Sequence, residues 1–185
     1  MREAALRAAS EAKLGEIAAP AVKRLAGDPW TFVRLAAASA LGALPAAAEA
    51  DAALATSAKQ DASPRVKAGA LSALGANGAR AHKDVAIERL EDRDEDGEVR
   101  VAAAKALGAM CEAGGLDALT RAARASTSPL ATGEDLAVGA AALRALAAIH
   151  PADLKARLEP LLGEGARPET KRAAEAALAE RGACR

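Results

Sequence analysis

Asp94 to Met110 reads D-E-D-G-E-V-R-V-A-A-A-K-A-L-G-A-M, and two earlier stretches copy it. Asp28 to Leu44 reads D-P-W-T-F-V-R-L-A-A-A-S-A-L-G-A-L, and Asp61 to Gly75 reads D-A-S-P-R-V-K-A-G-A-L-S-A-L-G. The aspartates Asp28, Asp61 and Asp94 lie 33 residues apart, as do Val33, Val66 and Val99, and Gly42, Gly75 and Gly108. A fixed period of this length marks supersecondary units that stack, since one unit alone cannot bury its apolar face. Alanine supplies much of the 51% hydrophobic content, beside one Trp, one Phe and no Tyr. Alanine is the best helix former and lets helices approach closely, so the expected class is all-α.

Read outward from these copies, the chain is one repeat domain spanning 1–185. A leading half-unit covers residues 1–14, and five helix pairs fall at about 15–45, 46–78, 79–114, 115–150 and 151–185. The half-unit aligns with the second half of a repeat, as a terminal cap or a piece of a longer array would, and its polar residues suit a cap. In the first pair, Ile17, Ala21, Val22 and Leu25 form one apolar stripe, and Asp28-Pro29 opens the next helix with a cap acceptor and a proline. The stripe Val33, Ala36, Ala37, Ala40, Leu41, Leu44 follows helical spacing and faces the core. Glycines at helix ends, Gly75 and Gly114-Gly115 among them, read as stops. Val138 follows Val99 by 39 residues, which places six extra residues in the fourth repeat's loop around Ser126 to Asp135. Such an insertion is either a specificity loop or simply tolerated.

Lys plus Arg and Asp plus Glu number 25 each, so no overall field draws the protein to nucleic acid or an anionic membrane. No apolar run approaches the length of a bilayer span, and no basic-then-apolar leader opens the chain, although a removed export signal stays open. Cys111 and Cys184 sit about two repeats apart; at about 8–10 Å per packed helix they are expected to be two free thiols, which favours a reducing, cytoplasmic setting.

The segment D-x-x-x-x-V-[RK]-x-x-A-x-x-A-L-G resembles the second half of a HEAT repeat, and Pro20, eight residues before Asp28, sits where many such units carry a proline. The short period is similar to compact bacterial HEAT-like units, including those of phycobilin lyases. This resemblance implies a right-handed α-α superhelix, a solenoid whose second helices line the concave face. It also implies a ladder between repeats, with Asp28, Asp61 and Asp94 as acceptors and Arg34, Lys67 and Arg100 as donors. Gly139 replaces the basic residue in repeat four and Gly133 falls at the aspartate position; repeat five keeps Lys171 but has Gly165 there. Looser stacking is expected at these two repeats.

Chemistry is sparse. His82 and His150 are the only side chains whose ordinary pKa lies near neutrality, and both read as solvated residues near helix ends. No spacing suits a metal, and the acidic run Glu91 to Asp96 reads as capping acids in a turn. No catalytic constellation, cofactor site or metal site is expected. On the second helices, the face opposite the core holds Leu6, Leu35, Leu71, Val101 and Leu143, flanked by Ser39, Lys105 and Arg144. Either this apolar stripe lies open along the groove and grips a partner's helix or extended segment, or tighter curvature packs it between repeats. Too few basic residues fall there for a nucleic-acid groove. Trp30 and Phe32, where the other repeats are polar, are either a contact or a seal over the leading half-unit. The expected function is a non-catalytic scaffold, monomeric alone, that binds another protein or peptide, with no nucleic acid and no membrane. A lyase-like protein that handles a chromophore and a segment of a larger assembly are the alternatives.

Overall fold

A computed structural model describes residues 3–4 and 15–184. Among them stand ten α-helices, no strand, and short 3-10 turns that lead into or follow helices. The helices are α1 (Ala18–Gly27), α2 (Thr31–Ala43), α3 (Ala48–Gln60), α4 (Pro64–Ala76), α5 (Lys83–Glu91), α6 (Gly97–Ala109), α7 (Leu116–Ala125), α8 (Gly133–Ile149), α9 (Leu154–Leu158) and α10 (Pro168–Ala179). Of the leading half-unit only Glu3 and Ala4 are described, both helical, so Leu6 lies outside the described residues.

The helices pair as the period requires, α1 with α2 through to α9 with α10, and the pairs stack in two layers. The core is the strip between the layers. Leu25, Leu41, Leu54, Leu74, Leu90, Leu107, Leu119, Leu146 and Leu158 are all fully buried there, with alanines closing the gaps. The turns within the first two pairs are built alike. The Asp28 carboxylate accepts the Trp30 amide at 3.0 Å, and the Asp61 carboxylate accepts the Ser63 amide at 2.9 Å. These short side-chain bonds end one helix and aim the next.

The repeated glycines do something other than stop helices. Gly42, Gly75 and Gly108 lie inside α2, α4 and α6, each against an alanine of the following second helix. A Cβ added to them would come within 2.8 Å of the Ala73 Cα, 3.0 Å of the Ala106 Cα and 2.9 Å of the Ala145 Cα respectively. The second helices therefore touch backbone to backbone along the array, which the missing side chain alone permits.

The fifth pair has a short first helix. Its α9 has five residues, and Pro160, which has no amide hydrogen to continue the ladder, falls in the 3-10 turn Glu159–Leu161 that follows.

The cysteines overturn the expected pair of free thiols: Cys111 and Cys184 form a disulfide, with Cα atoms 5.5 Å apart. Counting repeats misjudged the distance because the tail doubles back. The amides of Ala183 and Cys184 donate to the Ala148 carbonyl near the end of α8, at 2.9 and 3.0 Å, and Gly182 packs on His150. That end of α8 adjoins the end of α6, where Cys111 leaves the helix with φ 53°. The bridge removes the ground for inferring a reducing compartment, since disulfides persist mainly in oxidising ones.

Candidate functional site

The second helices α2, α4, α6 and α8 form one layer of the array, and what its outer surface shows to solvent depends on crowding from three sides. Each second helix packs on its own first helix and on the second helices before and after it. The residues at the Ala38 position of the repeat, namely Ala38, Leu71, Ala104 and Leu143, point into these lateral contacts. Leu71 and Leu143 are 0% and 1% exposed, so neither belongs to an open stripe. One turn earlier, at the Leu35 position, Leu35, Val101 and Ala140 are half-buried, whereas Ala68 is buried. Ser39, Ser72, Lys105 and Arg144 are exposed. The expected continuous stripe thus reduces to two apolar side chains, Leu35 and Val101, within a polar border.

These two share a shallow groove of about 280 Å³ across α2, α4 and α6. Arg65, Glu98 and Lys105 edge it, and Ala68, Gly69 and Ala102 form its floor. Gly69 makes room for the neighbouring leucine: a Cβ there would sit 2.6 Å from Leu35 Cδ1. Sequence spacing did not single out Gly69, Arg65 or Glu98, because their place on the groove depends on the neighbouring helices.

The residues expected to form the ladder make ion pairs between repeats, with Asp61 as the acceptor for Arg34 and Glu95, not Asp94, as the acceptor for Lys67. Arg34 donates to both oxygens of Asp61, at 2.7 and 2.9 Å, and to the Asp28 carbonyl at 3.0 Å. Burial pushes the Asp61 carboxyl up, but the bonds from Arg34 and the Ser63 amide, with Lys67 near, hold it below its ordinary value. Lys67 bonds not to Asp94 but to Glu95, at 2.9 and 3.2 Å, and Arg89 joins the same carboxylate at 2.9 Å. The cause is a longer turn: α5 ends at Glu91, so Asp92 takes the helix-ending place of Asp28 and Asp61, and Glu95 swings under Lys67. Burial raises the Glu95 carboxyl as well, and its two cations, with the Asp96 amide, bring it below the usual range. Arg100, the donor of the third rung, lies 3.8 Å from Glu134 and from Asp135. Past it, Gly139 packs against the Ser126 side chain, and Arg167 reaches the Ser128 and Pro129 carbonyls at 3.2 and 3.3 Å. The insertion is therefore tied to repeat five, with Leu130 at its tip.

Trp30 and Phe32 are 59% and 50% exposed, their ring centroids 5.8 Å apart. The aromatic pair stands at the opening of α2 in front of the first rung. His82 precedes α5 and His150 follows α8, as their positions near helix ends suggested. The acidic run is spent on structure: Glu91 pairs with Arg121, Glu95 with Lys67, and Asp96 caps α6 through the Glu98 amide at 2.8 Å. Among the described residues no group of three or more His, Cys, Asp or Glu is placed to hold a metal ion. No helix among them is long and apolar enough to cross a membrane.

The family model for HEAT repeats matches residues 52–133. No curated protein shows significant similarity to the chain. The match is to HEAT repeats as a class and does not single out phycobilin lyases. HEAT repeats generally serve as protein-interaction scaffolds and are typically non-enzymatic. The matched stretch covers α4 to α7 with parts of α3 and the turn before α8. Residues 52–133 are thus HEAT repeats by sequence, and the helix pairs on either side of them continue the same arrangement.

Proposed function

We propose that the groove across α2, α4 and α6 binds a segment of another protein, and that the molecule acts by holding it without making or breaking bonds. The observation that carries this reading is the groove itself. Leu35 and Val101 stay half-exposed there although every neighbouring position of the same row is occupied by small or buried residues. A backbone can come close over Ala68, Gly69 and Ala102, and two apolar side chains of the visitor would then meet Leu35 and Val101. The border of Arg65, Lys105 and Glu98 mixes signs, which favours a segment with both charges flanking its apolar residues over a uniformly charged one.

Capture on the immobilised protein, followed by mass spectrometry, would supply candidate partners. Affinity of an identified partner is then compared between wild type and Leu35→Asp with Val101→Asp. Both residues are only half-buried, so the helical signal should persist while binding weakens by at least about tenfold. Unchanged affinity in the folded variant sinks the groove as the binding surface.

A further inference from the structure

Arg100 is the odd member of its row. It is 6% exposed, yet among the described residues it makes one hydrogen bond, from Nε to the Leu90 carbonyl at 3.3 Å. Arg34, two rungs earlier, makes three. The two carboxylates facing Arg100 stand 3.8 Å from Nη1, beyond hydrogen-bond reach. Both are committed elsewhere. Asp135 closes a capping box, accepting the Thr132 amide at 3.0 Å and the Thr132 hydroxyl at 2.9 Å. The Glu134 side chain lies across Gly97, where an added Cβ would collide with it.

The Arg100 Nη groups make no hydrogen bond among the described residues and border open space, so they are free to donate to a ligand that enters it. Arg100 borders a cavity of about 410 Å³ between α5 and α7, together with Arg93 and Arg121. Glu91 in the lining pairs with Arg121, whereas Arg93 and Arg100 face Glu134 and Asp135 only at 3.8 to 4.0 Å, so two of the three guanidinium groups have carboxylates near them but beyond hydrogen-bond reach. Leu90, Ala118, Ala122 and Ala125 supply an apolar wall. Guanidinium groups match the oxygens of carboxylate and phosphate in planar, two-bonded contacts.

From this we infer that the cavity is a binding site for a small oxyanion, a phosphoryl or carboxylate group carried on a compact apolar body. The oxyanion meets Arg100, Arg93 and Arg121, and the body rests on Leu90 and the alanines of α7. The site shares no residue with the groove around Leu35 and Val101, so the two readings stand or fall separately.

Isothermal titration of the full chain, disulfide intact and at low salt, tests it with phenyl phosphate, benzoate and inorganic phosphate. Phenyl phosphate or benzoate should bind at one saturable site more tightly than inorganic phosphate; whichever of the two is preferred names the head group. Arg93→Gln with Arg121→Gln, both exposed side chains, should weaken binding at least about tenfold, and Glu91→Gln should strengthen it. Lys105→Gln, a charge change in the groove, should leave it unaltered. The inference is overturned if neither organic anion saturates in the millimolar range, if inorganic phosphate binds as tightly, or if the double variant binds like wild type. Equal weakening by Lys105→Gln overturns it too, since that would reduce the effect to net charge.

Discussion

Breaking the Cys111–Cys184 bridge should loosen the carboxyl-terminal end of the array before anything else. The bridge spans a sequence separation of 73 and joins the end of repeat three to the tail beyond α10. Cross-linking across that separation restricts the unfolded chain, and the loop-entropy relation puts the effect at about 4.4 kcal/mol at 25 °C. This is the ceiling, because the relation treats the unfolded chain as free of residual structure, and about 2 to 4 kcal/mol is the expected loss. For a chain of 185 residues that corresponds to about 5 to 10 °C in the midpoint of thermal unfolding.

The loss should also have an address. Repeat five has only the five-residue α9 and the twelve-residue α10. Apart from helix packing, it is held by the tail bonds to Ala148, by Arg157 to Asp117 at 2.7 Å, and by Arg167 to the insertion. In a stacked array each unit leans only on its neighbours, so an end unit frays first. Hydrogen exchange measured with and without a reductant should therefore quicken in residues 150–184 and leave α2, α4 and α6 almost unchanged. Cys111→Ser with Cys184→Ser should reproduce the reduced protein in both melting and exchange. If oxidised and reduced forms, verified by mass spectrometry, melt together and exchange alike, the bridge is no clasp and the argument fails.

Gly108→Ala should destabilise the array although alanine is the better helix former: the new Cβ would lie 2.9 Å from the Ala145 Cα, and overpacking of about 1 to 3 kcal/mol outweighs a propensity gain of about 1 kcal/mol. Gly27→Ala, with nothing within 4 Å of the added atom, should be neutral or stabilising in the same denaturant titration. Arg34→Ala leaves Asp61 nearly buried without its partner and should cost about 3 kcal/mol. Because Asp61 and Glu95 titrate below their unfolded values of about 4, the stability they contribute is present above that pH and lost as pH falls through the folded values. Arg34→Ala should accordingly flatten part of the acid limb of a stability-versus-pH curve, and an unchanged slope would refute the assignment. Leu71→Asp should unfold the array outright, since it places a carboxylate at a fully buried position; a folded variant seen by circular dichroism would contradict the lateral packing.

The repeats themselves were legible because the signal is redundant: three copies of the same valine, basic residue and A-L-G triplet leave one helical phase for each second helix. The groove was harder. Positions 35 and 38 are only about 60° apart around a helix, and both lie away from the first-helix core. For an isolated helix pair that makes them equally exposed, which is how Leu71 and Leu143 came to share a stripe with Leu35 and Val101. In the array a second helix is also flanked on both sides, and Gly42, Gly75 and Gly108 draw those flanks into backbone contact, closing over position 38 and sparing position 35. The glycine recurring beside alanine was thus the available clue to the width of the face, and it had been spent on helix ends. The disulfide had no comparable clue, because the path of Gly182 to Cys184 over α8 follows no period. The second rung failed for a related reason: the sequence interval of 33 holds through Asp94, but the shorter α5 moves the acceptor one residue along, to Glu95. Periodicity therefore locates helix axes well and side-chain partners at turns poorly. Both proposed sites sit where that distinction matters, one where glycine narrows the outer surface of the second helices, the other where a capping box draws Asp135 away from Arg100.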